Sequence, residues 1–224
     1  MIDRRDFEDT GRAWIRNAIP PGDLIKLANG FQTKGRAGDR PAFDSPVSEY
    51  FLGPNPVSGI AGSLGLDPVP VRLAVFNKTD AFNWSVPWHQ DRVIAVSAHH
   101  ELPDHKAWLP KDGYWHVEPP VSILERMIFV RLHIDAADET NGCLQLALGS
   151  YKAGRVPAGE AAAFAESCPI ESCPAQSGDL LVVKALTLHR SSSSRSAMQR
   201  RAVRVDYADR SALNAPLRWA LDVA

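Results

Sequence analysis

The sequence has little of several features that would point to a particular class of protein. Positive charge is not in excess, with 25 lysines and arginines against 26 aspartates and glutamates, so no nucleic-acid-binding surface is indicated. No apolar run is long enough to cross a bilayer, and the opening MIDRRDFEDTGRAW has no signal-peptide character. Cysteine is scarce, with Cys143, Cys168 and Cys173 alone. We therefore expect a cytoplasmic protein with reduced thiols and no nucleic-acid or membrane partner.

What the sequence does have is β-type patterning after a mixed N-terminal part. The 224 residues are 45% hydrophobic, which suits a single domain spanning residues 1–224. From Val69 onwards, short β-type runs alternate with turn residues: VRLAVFNK, VPWHQDRVIAV, ERMIFVRLHIDA, CLQLAL, DLLVVKALTLHRS and RRAVRVDYA. Several short strands of this kind predict a barrel or a double-sheet sandwich.

The remaining segments predict helices and loops. A short strand in AWIRNAI is followed by a helix that PPGD opens, because proline favours the first helical turn. Residues 32–66 predict loop with one helix near VSEYFLG, and GEAAAFAES at 159–167 predicts a short helix. The insert between Ser97 and Ile123 has no clear period. Long irregular segments in compact domains are often functional lids.

The strand MIFVRLHID has two chemically different faces. Side chains alternate along a strand, so the aliphatic residues from Ile128 to Ile134 share one face, which we expect to pack in a hydrophobic layer. Arg131 and His133 share the other face with Met127 and Phe129. Either a solvent-facing strand or a barrel interior that holds a polar ligand would explain these two polar residues.

PWHQDR, at 87–92, contains a candidate metal-binding pair. In an extended segment His89 and Asp91 point the same way, and imidazole with carboxylate suits a divalent first-row metal. The pair alone is more often a surface feature, and a site needs a third ligand. His189 is the favoured candidate because it ends an apolar strand beside a serine-rich turn, where sites are usually built. The three residues would form the two-histidine, one-carboxylate triad of non-haem Fe(II) oxygenases.

The residues after His189 supply groups for an anionic cosubstrate. Ser191 follows two positions after the histidine and Arg200 eleven positions after it, in HRSSSSRSAMQRRAVRVDY. A dicarboxylate that chelates iron needs a cation at its far carboxylate, and a guanidinium can bind that group bidentately. Arg195, Arg201 and Arg204 compete for this role. Strand alternation puts Arg204 on the face of Arg200 and Arg201 on the other.

These motifs together resemble those of the phytanoyl-CoA dioxygenase family, which includes ectoine hydroxylase, over roughly residues 71–208. The W-H-x-D at 88–91 is similar to the first ligand motif of the family. HIDAADETNGCLQLALGSY is similar to its segment ending N-G-x-L-x-x-x-P-G-S-H, although Leu148 and Tyr151 replace the proline and histidine of that motif. SGDLLVVKALTLHRSS is similar to its glycine–aspartate–strand–histidine segment. The His-to-Arg spacing of eleven also fits the family and favours Arg200.

The resemblance implies a mainly β fold with peripheral helices, namely a double-stranded β-helix (jelly roll, cupin-like). It implies an Fe(II)- and 2-oxoglutarate-dependent dioxygenase that uses O2, releases succinate and CO2, and hydroxylates a small-molecule metabolite. The implied metal and catalytic ligands are His89, Asp91 and His189. The residues implied for 2-oxoglutarate are Arg200, Ser191, Lys78 and, from its strand face, Arg131. Relatives that halogenate lack the aspartate, so Asp91 favours hydroxylation.

Other interpretations stay open from the sequence. The same triad would also suit a zinc-type metal hydrolase, which leaves Arg200 and Ser191 without a role. A non-catalytic jelly-roll binding protein is a second alternative. Trp84 is expected either to wall a pocket or to lie in the core, and Trp88 is expected in the core. His116 and Glu118 are expected either to line the mouth or to form a structural turn.

Overall fold

The structure is a computed structural model that describes residues 2–33, 38–41, 44–53 and 55–221. Its strands, numbered in chain order, are β1 (Arg12–Ile15), β2 (Gly38–Asp39), β3 (Pro68–Lys78), β4 (Val86–His89), β5 (Ile94–Val96), β6 (Lys106–Lys111), β7 (Tyr114–Glu118), β8 (Met127–His133), β9 (Leu144–Ala147), β10 (Ile170–Cys173), β11 (Leu180–Lys184), β12 (His189–Ser191) and β13 (Arg200–Asp209). Its α-helices are α1 (Arg4–Thr10), α2 (Pro21–Asn29), α3 (Pro46–Leu52), α4 (Pro56–Ser63), α5 (Val121–Leu124) and α6 (Ala161–Glu166), with 3₁₀ turns at Ser150–Ala153 and Arg210–Ala212.

Two antiparallel sheets enclose the interior of the domain. The larger sheet has the order β1-β11-β8-β13-β3-β2 and the smaller one β10-β9-β12-β4. Side chains from both sheets meet in one apolar cluster, in which Phe129 and Leu181 of the larger sheet join Leu146 and Cys173 of the smaller. This two-sheet arrangement agrees with the jelly roll that the sequence predicted. The remaining strands form a small sheet in the order β5-β7-β6.

The outer face of the larger sheet carries the main hydrophobic core. Val130 of β8 and Val203 of β13 pack there with Leu27 of α2, Phe51 of α3 and further residues of the N-terminal helices. Burial of one such side chain contributes roughly 1.5–3 kcal/mol, so this layer fixes which face of each strand points inwards. The predicted aliphatic face of MIFVRLHID is confirmed. The polar residues at the alternate positions of these strands therefore point into the space between the two sheets.

Two of the predicted strands are broken in the structure. VPWHQDRVIAV divides into β4 and β5, which belong to different sheets, and DLLVVKALTLHRS divides in the same way into β11 and β12. The prediction that His189 ends a long strand was therefore wrong, because it begins β12. A continuous apolar run does not reveal such corners, where a chain passes from one sheet to the other.

The N-terminal and insert regions hold more regular structure than expected. The 97–123 insert, predicted to be irregular, forms the hairpin β6–β7, whose tip is Asp112–Gly113, and the start of α5. α1 and α4 were missed, since each is short and buries few side chains. The predicted helices at PPGD, VSEYFLG and GEAAAFAES are present as α2, α3 and α6. In the described part of the chain, no helix combines the length and apolarity that a membrane crossing needs.

Candidate metal and cosubstrate site

The three predicted metal ligands come together between the sheets. β4 and β12 are antiparallel neighbours, and His89 lies opposite His189 in their register. Asp91 follows β4 in the irregular segment that leads to β5. One ligand atom from each of the three residues lies within 4.8 Å of the other two. Two imidazole nitrogens and a carboxylate oxygen at this spacing fit a single divalent first-row metal ion.

Backbone contacts orient both imidazoles for this role. Nδ1 of His89 lies 2.9 Å from the carbonyl oxygen of Pro87, and Nδ1 of His189 lies 2.9 Å from that of Thr187. A carbonyl can only accept, so each Nδ1 carries a proton and Nε2 is the ring nitrogen left to bind a metal. Such outer contacts are typical of metal-bound histidines, because they fix the tautomer and the ring orientation.

The electrostatics of the ligands suit a cation. Burial, aided by the charge of His189, lowers the pKa of His89 to about 4, so its imidazole is neutral at neutral pH. Burial alone would raise the pKa of the Asp91 carboxyl, but Arg204, His189 and Arg72 hold that pKa well below its usual range. Metal binding requires neutral imidazole and ionised carboxylate, and these pKa shifts favour those forms for His89 and Asp91.

Two arginines and an aspartate surround the Asp91 carboxylate. Nη1 of Arg204 lies 2.6 Å from Oδ2 of Asp91, and Nη2 of Arg72 donates to Oδ1 at 3.3 Å. Both guanidinium groups also donate to Asp206, from Nε of Arg204 at 2.7 Å and from Nε of Arg72. The Arg204 guanidinium stacks on Phe129, 4.1 Å from the ring centroid. This network fixes the direction of the carboxylate.

A second group of cations lies buried without acidic partners. Lys78, Arg131 and Arg200 expose 1%, 5% and 3% of their surfaces. Among the described residues, no ion pair includes any of the three, and Nε and Nη1 of Arg200 and Nε of Arg131 have no hydrogen-bond partner. Burial, followed by the charges of Arg200 and Arg131, lowers the pKa of Lys78 to about 7. Burial lowers the pKa of Arg200 to about 10.

Strand register explains why these cations meet. Arg200 of β13 is the partner of Lys78 on β3, and Arg204 of β13 is the partner of Arg131 on β8. All four side chains lie on the inner face, since the intervening Val203 packs in the outer core. Buried charges are normally paired, and Arg204 has Asp91 and Asp206 as partners. The other three cations have no acid, which indicates a site for an anion.

A cavity of about 200 Å³ joins the metal ligands to part of this cation cluster. Its walls include the predicted residues His89, Asp91, His189, Ser191, Arg131 and Arg200, together with Trp84 and Phe129. Lys78 is not part of this wall; its Nζ donates to the carbonyl oxygen of Ser192 and lies 5.2 Å from the centroid of the Trp84 ring. The residues proposed from the sequence for metal and cosubstrate are thus gathered in one region of the interior.

Other residues considered in the sequence lie elsewhere. Arg201 points outwards and binds Asp135 through two bonds of 2.9 Å, and Trp88 is buried in a core cluster, as expected. His133 is buried on the inner face but packs on Trp14 at 5.9 Å, outside the walls of the metal cavity. His116 is not among the walls of the metal cavity; its Nε2 lies 2.7 Å from Nη2 of Arg40.

The sequence reasoning missed Arg72, Asp206 and Arg40. Arg72 lies two residues before Ala74 on β3, and Asp206 lies two residues after Arg204 on β13, so both occupy inward positions. The same alternation that singled out Arg131 could have found them, because a charged residue inside a predicted barrel strand needs a partner. Arg40 follows the two-residue strand β2, and no pattern in the surrounding glycine-rich sequence marks it.

Several solved structures share this fold at low sequence identity. AviO1 from Streptomyces viridochromogenes Tue57 is 20% identical with a TM-score of 0.68, covering 95% of this chain and 96% of that chain. EctD from S. alaskensis with 2-oxoglutarate and 5-hydroxyectoine is 13% identical (TM-score 0.69; 99% and 82% covered). The epimerase SnoN in complex with Fe3+, alpha ketoglutarate and nogalamycin RO is 14% identical (TM-score 0.68; 92% and 82% covered). At these identities the likeness establishes the fold, a jelly roll as predicted.

Sequence comparison identifies the family. No curated protein matches the chain. The profile of the phytanoyl-CoA dioxygenase (PhyH) family, in contrast, matches residues 7–202, which is most of the sequence. The match confirms the family expected from the ligand motifs, and with it an oxygenase that depends on Fe(II) and 2-oxoglutarate and uses O2. This chain belongs to the phytanoyl-CoA dioxygenase family.

Proposed function

We propose that this enzyme hydroxylates a small-molecule metabolite in the cytoplasm, with release of succinate and CO2, at the cavity between its sheets. His89, Asp91 and His189 hold Fe(II), and Arg200 binds the far carboxylate of 2-oxoglutarate. The observation that carries this assignment is the juxtaposition of two sites: three converging metal ligands and, in the same interior, a cluster of buried cations without acids. A chelating dianion would satisfy both at once.

The roles of the cations follow from their chemistry. The planar guanidinium of Arg200 can bind a carboxylate through two parallel hydrogen bonds, and its Nε and Nη1 are unpartnered. Ser191, on the same wall, offers a hydroxyl to the same carboxylate. Lys78 and Arg131 add positive charge that a dianion would neutralise. Their mutual repulsion in the cosubstrate-free protein is therefore relieved when 2-oxoglutarate binds.

The remaining residues orient the metal ligands and exclude water. Arg72 and Arg204 hold the carboxylate of Asp91, while Pro87 and Thr187 hold the two imidazoles. Phe129 and Trp84 form apolar parts of the cavity wall, which strengthens the electrostatic contacts inside. Bound iron, with 2-oxoglutarate and O2, supplies the oxidation itself. Because Asp91 is present, a halide does not take its coordination position, and hydroxylation is favoured.

The cation cluster also separates this function from its rivals. A zinc-type hydrolase would use the same triad to activate water but gives Lys78, Arg131 and Arg200 no anion to bind. A non-catalytic binding protein would not need two histidines whose Nδ1 atoms are both held by backbone carbonyls. The hydrolase leaves the unpaired buried charges unexplained, and the binding protein leaves the fixed imidazoles unexplained.

An anaerobic titration tests the proposal. Purified protein loaded with Fe(II) under nitrogen is titrated with 2-oxoglutarate, and formation of the metal-to-ligand charge-transfer band is followed. We expect one Fe(II) per chain and a saturable band, and after admission of O2 we expect succinate to form. Glutarate, which lacks the chelating keto group, is the control ligand and should give no band. Iron binding without a band in the presence of 2-oxoglutarate would contradict the assignment.

A further inference from the structure

We propose that the substrate of this enzyme is an organic acid whose acid group, a carboxylate, sulfonate or phosphate, is received by Arg204 and Arg40 in a second cavity beside Asp91. The inference rests on the proposed function, because it places the acid group next to the proposed iron site. The second cavity has a volume of about 200 Å³. Its walls do not include Lys78, Arg131 or Arg200, the cations that we assign to 2-oxoglutarate.

The cavity adjoins the metal site directly. Its walls share Asp91, Arg204 and Phe76 with the metal cavity. Arg204 is 8% exposed, lies 2.6 Å from the Asp91 carboxylate, and leaves Nη2 without a hydrogen-bond partner. This guanidinium is held in place by Phe129 on its face and by Asp206 at Nε. It is a fixed donor beside Asp91, one of the proposed metal ligands.

Four cations line the cavity: Arg40, Arg72, Lys111 and Arg204. Three acids, Asp39, Asp91 and Asp112, belong to the same wall. Asp112 pairs with Arg40 at 3.0 Å, and Asp206, which is not part of the wall, pairs with both Arg72 and Arg204. In the metal-free protein, the negative charge of Asp91 also balances Arg72 and Arg204. Once Asp91 coordinates a divalent cation, two guanidinium groups share the single carboxylate of Asp206. The cavity then has a positive excess that an anionic group would balance.

A larger, more apolar cavity that adjoins the same arginines could hold the apolar part of the substrate. An outer cavity of about 450 Å³ shares Asp39, Arg40, Arg72 and Asp112 with the second cavity. Its other walls include the apolar residues Leu52, Val71, Leu73, Ala95 and Leu221. This volume is typical of small-molecule sites, which combine apolar walls with a few polar groups. The chain thus offers a charged subsite between the metal and an apolar subsite.

The hairpin β6–β7 completes both cavities. Its tip residues Asp112 and Gly113, with Tyr114, form part of the outer wall, and Lys111 and Asp112 form part of the second. The Arg40–Asp112 ion pair joins this tip to the segment after β2. The insert with no clear sequence period therefore contributes to the substrate site that we propose. An acid that reaches Arg204 would lie a few bonds from the carbon that is oxidised.

Calorimetry on the holoprotein tests this inference. Protein loaded with Fe(II) and saturating 2-oxoglutarate under nitrogen is titrated with butanoate, octanoate, octanesulfonate and octyl phosphate, and with octanol and octylamine as neutral and cationic partners. We expect at least one acid to bind about ten- to a hundred-fold more tightly than octanol, because the alcohol can accept a hydrogen bond but lacks the negative charge that strengthens it. Arg204→Gln and Arg40→Gln should each remove most of this preference.

Arg201→Gln is the matched control, because Arg201 is on the same strand as Arg204 but points away from the cavities. It should leave the preference for acids intact. The inference is overturned if no acid binds better than its alcohol, or if both cavity variants behave like the control. It is also overturned if the acids bind by displacing 2-oxoglutarate, which would abolish the charge-transfer band. Absence of that band before any acid is added would instead contradict the proposed function itself.

Discussion

Arg200 and Arg201 are neighbours on β13, yet they lie in opposite electrostatic surroundings. Arg201 faces outwards and forms two hydrogen bonds with Asp135, at 2.9 Å from Nε and 2.9 Å from Nη2. Arg200 faces inwards, is 3% exposed, and has no acid within ion-pair distance among the described residues. One guanidinium already has its carboxylate, and the other has the geometry to receive one from a ligand.

We predict that Arg200→Ala weakens 2-oxoglutarate binding strongly and leaves iron binding intact. Loss of one partner of a buried charge pair costs roughly 3–5 kcal/mol, which is on the order of a hundred- to several-thousand-fold in affinity. Lysine should restore only part of the loss, because it keeps the charge but not the two-pronged geometry. The measurement is titration of each Fe(II)-loaded variant with 2-oxoglutarate under nitrogen.

Arg201→Ala is the natural control for this experiment. It removes an arginine from the adjacent position, but the group it disconnects is Asp135, outside the cavity. We expect a modest loss of stability and an unchanged affinity for 2-oxoglutarate. If Arg201→Ala loses binding while Arg200→Ala keeps it, the wrong arginine has been assigned.

We predict that His189→Ala removes most of the affinity for Fe(II). Only His89 and Asp91 would remain as protein ligands, and the carboxylate is also shared with Arg204. The measurement is iron stoichiometry after anaerobic loading and desalting, with His133→Ala as a control that removes a buried imidazole outside the metal cavity. Retention of one iron per chain in His189→Ala would exclude this ligand set.

Much of this site could be predicted from sequence because its signals are local. His89 and Asp91 are two residues apart, and Ser191 and Arg200 follow His189 at short, fixed spacing. The inward face of β8 follows from simple alternation, which is enforced by the aliphatic outer core. Such features depend on neighbours along one strand, so the sequence pattern contains them.

The parts that were missed depend on contacts between distant segments. Arg72 contacts Asp206 on the adjacent strand β13 and Asp91 in the segment after β4, and Arg40 contacts Asp112 on a hairpin 72 positions away. The corners after His89 and before His189 arise because the chain changes sheets, not because the residues there are turn formers. A single sequence gives no register between such segments, so neither the pairs nor the cavities between them could be read from it.

We predict that 2-oxoglutarate binding near neutral pH takes up a proton at Lys78. Burial and the charges of Arg200 and Arg131 lower the pKa of Lys78 to about 7, so part of the population is neutral just above that pH. A bound dianion favours the ammonium form and raises the pKa, so protons move from solvent to protein. Calorimetry in buffers of different ionisation enthalpy measures this uptake. Lys78→Met should abolish it, and uptake that persists in this variant would assign the proton to another group.

We predict that acid destabilises the metal-free protein in part through His133. Burial, followed by the charge of Arg131, lowers the pKa of His133 to about 3 in the folded state. The unfolded state binds a proton near the ordinary value of about 6.5, while the folded state does not until about pH 3. The free energy of unfolding therefore falls as the pH drops from about 6.5 towards 3, by on the order of a few kcal/mol from this residue.

Urea unfolding across this pH range measures the contribution of His133. In His133→Gln the titrating group is gone, so the loss of stability below pH 6.5 should be shallower than in the wild type. His100→Gln, at a partly exposed position outside the core, controls for removal of an imidazole as such. Parallel pH profiles for the wild type and His133→Gln would refute the assignment.

We predict that Gly142→Ala damages both stability and cosubstrate binding. Gly142 has φ +74°, and a Cβ there would lie 2.2 Å from the carbonyl oxygen of Ser192, the acceptor for Lys78. Gly65→Ala is the matched control: its φ is +89°, but an added Cβ meets no atom within 4 Å, so it reports backbone strain alone, about 1 kcal/mol. Urea unfolding should show a larger loss for Gly142→Ala, and titration with 2-oxoglutarate should show weaker binding in this variant only. Equal losses of stability would mean that the Ser192 carbonyl can move away from the added Cβ without lowering the free energy of unfolding. An unchanged affinity would then show that the position of Lys78 does not matter for the cosubstrate.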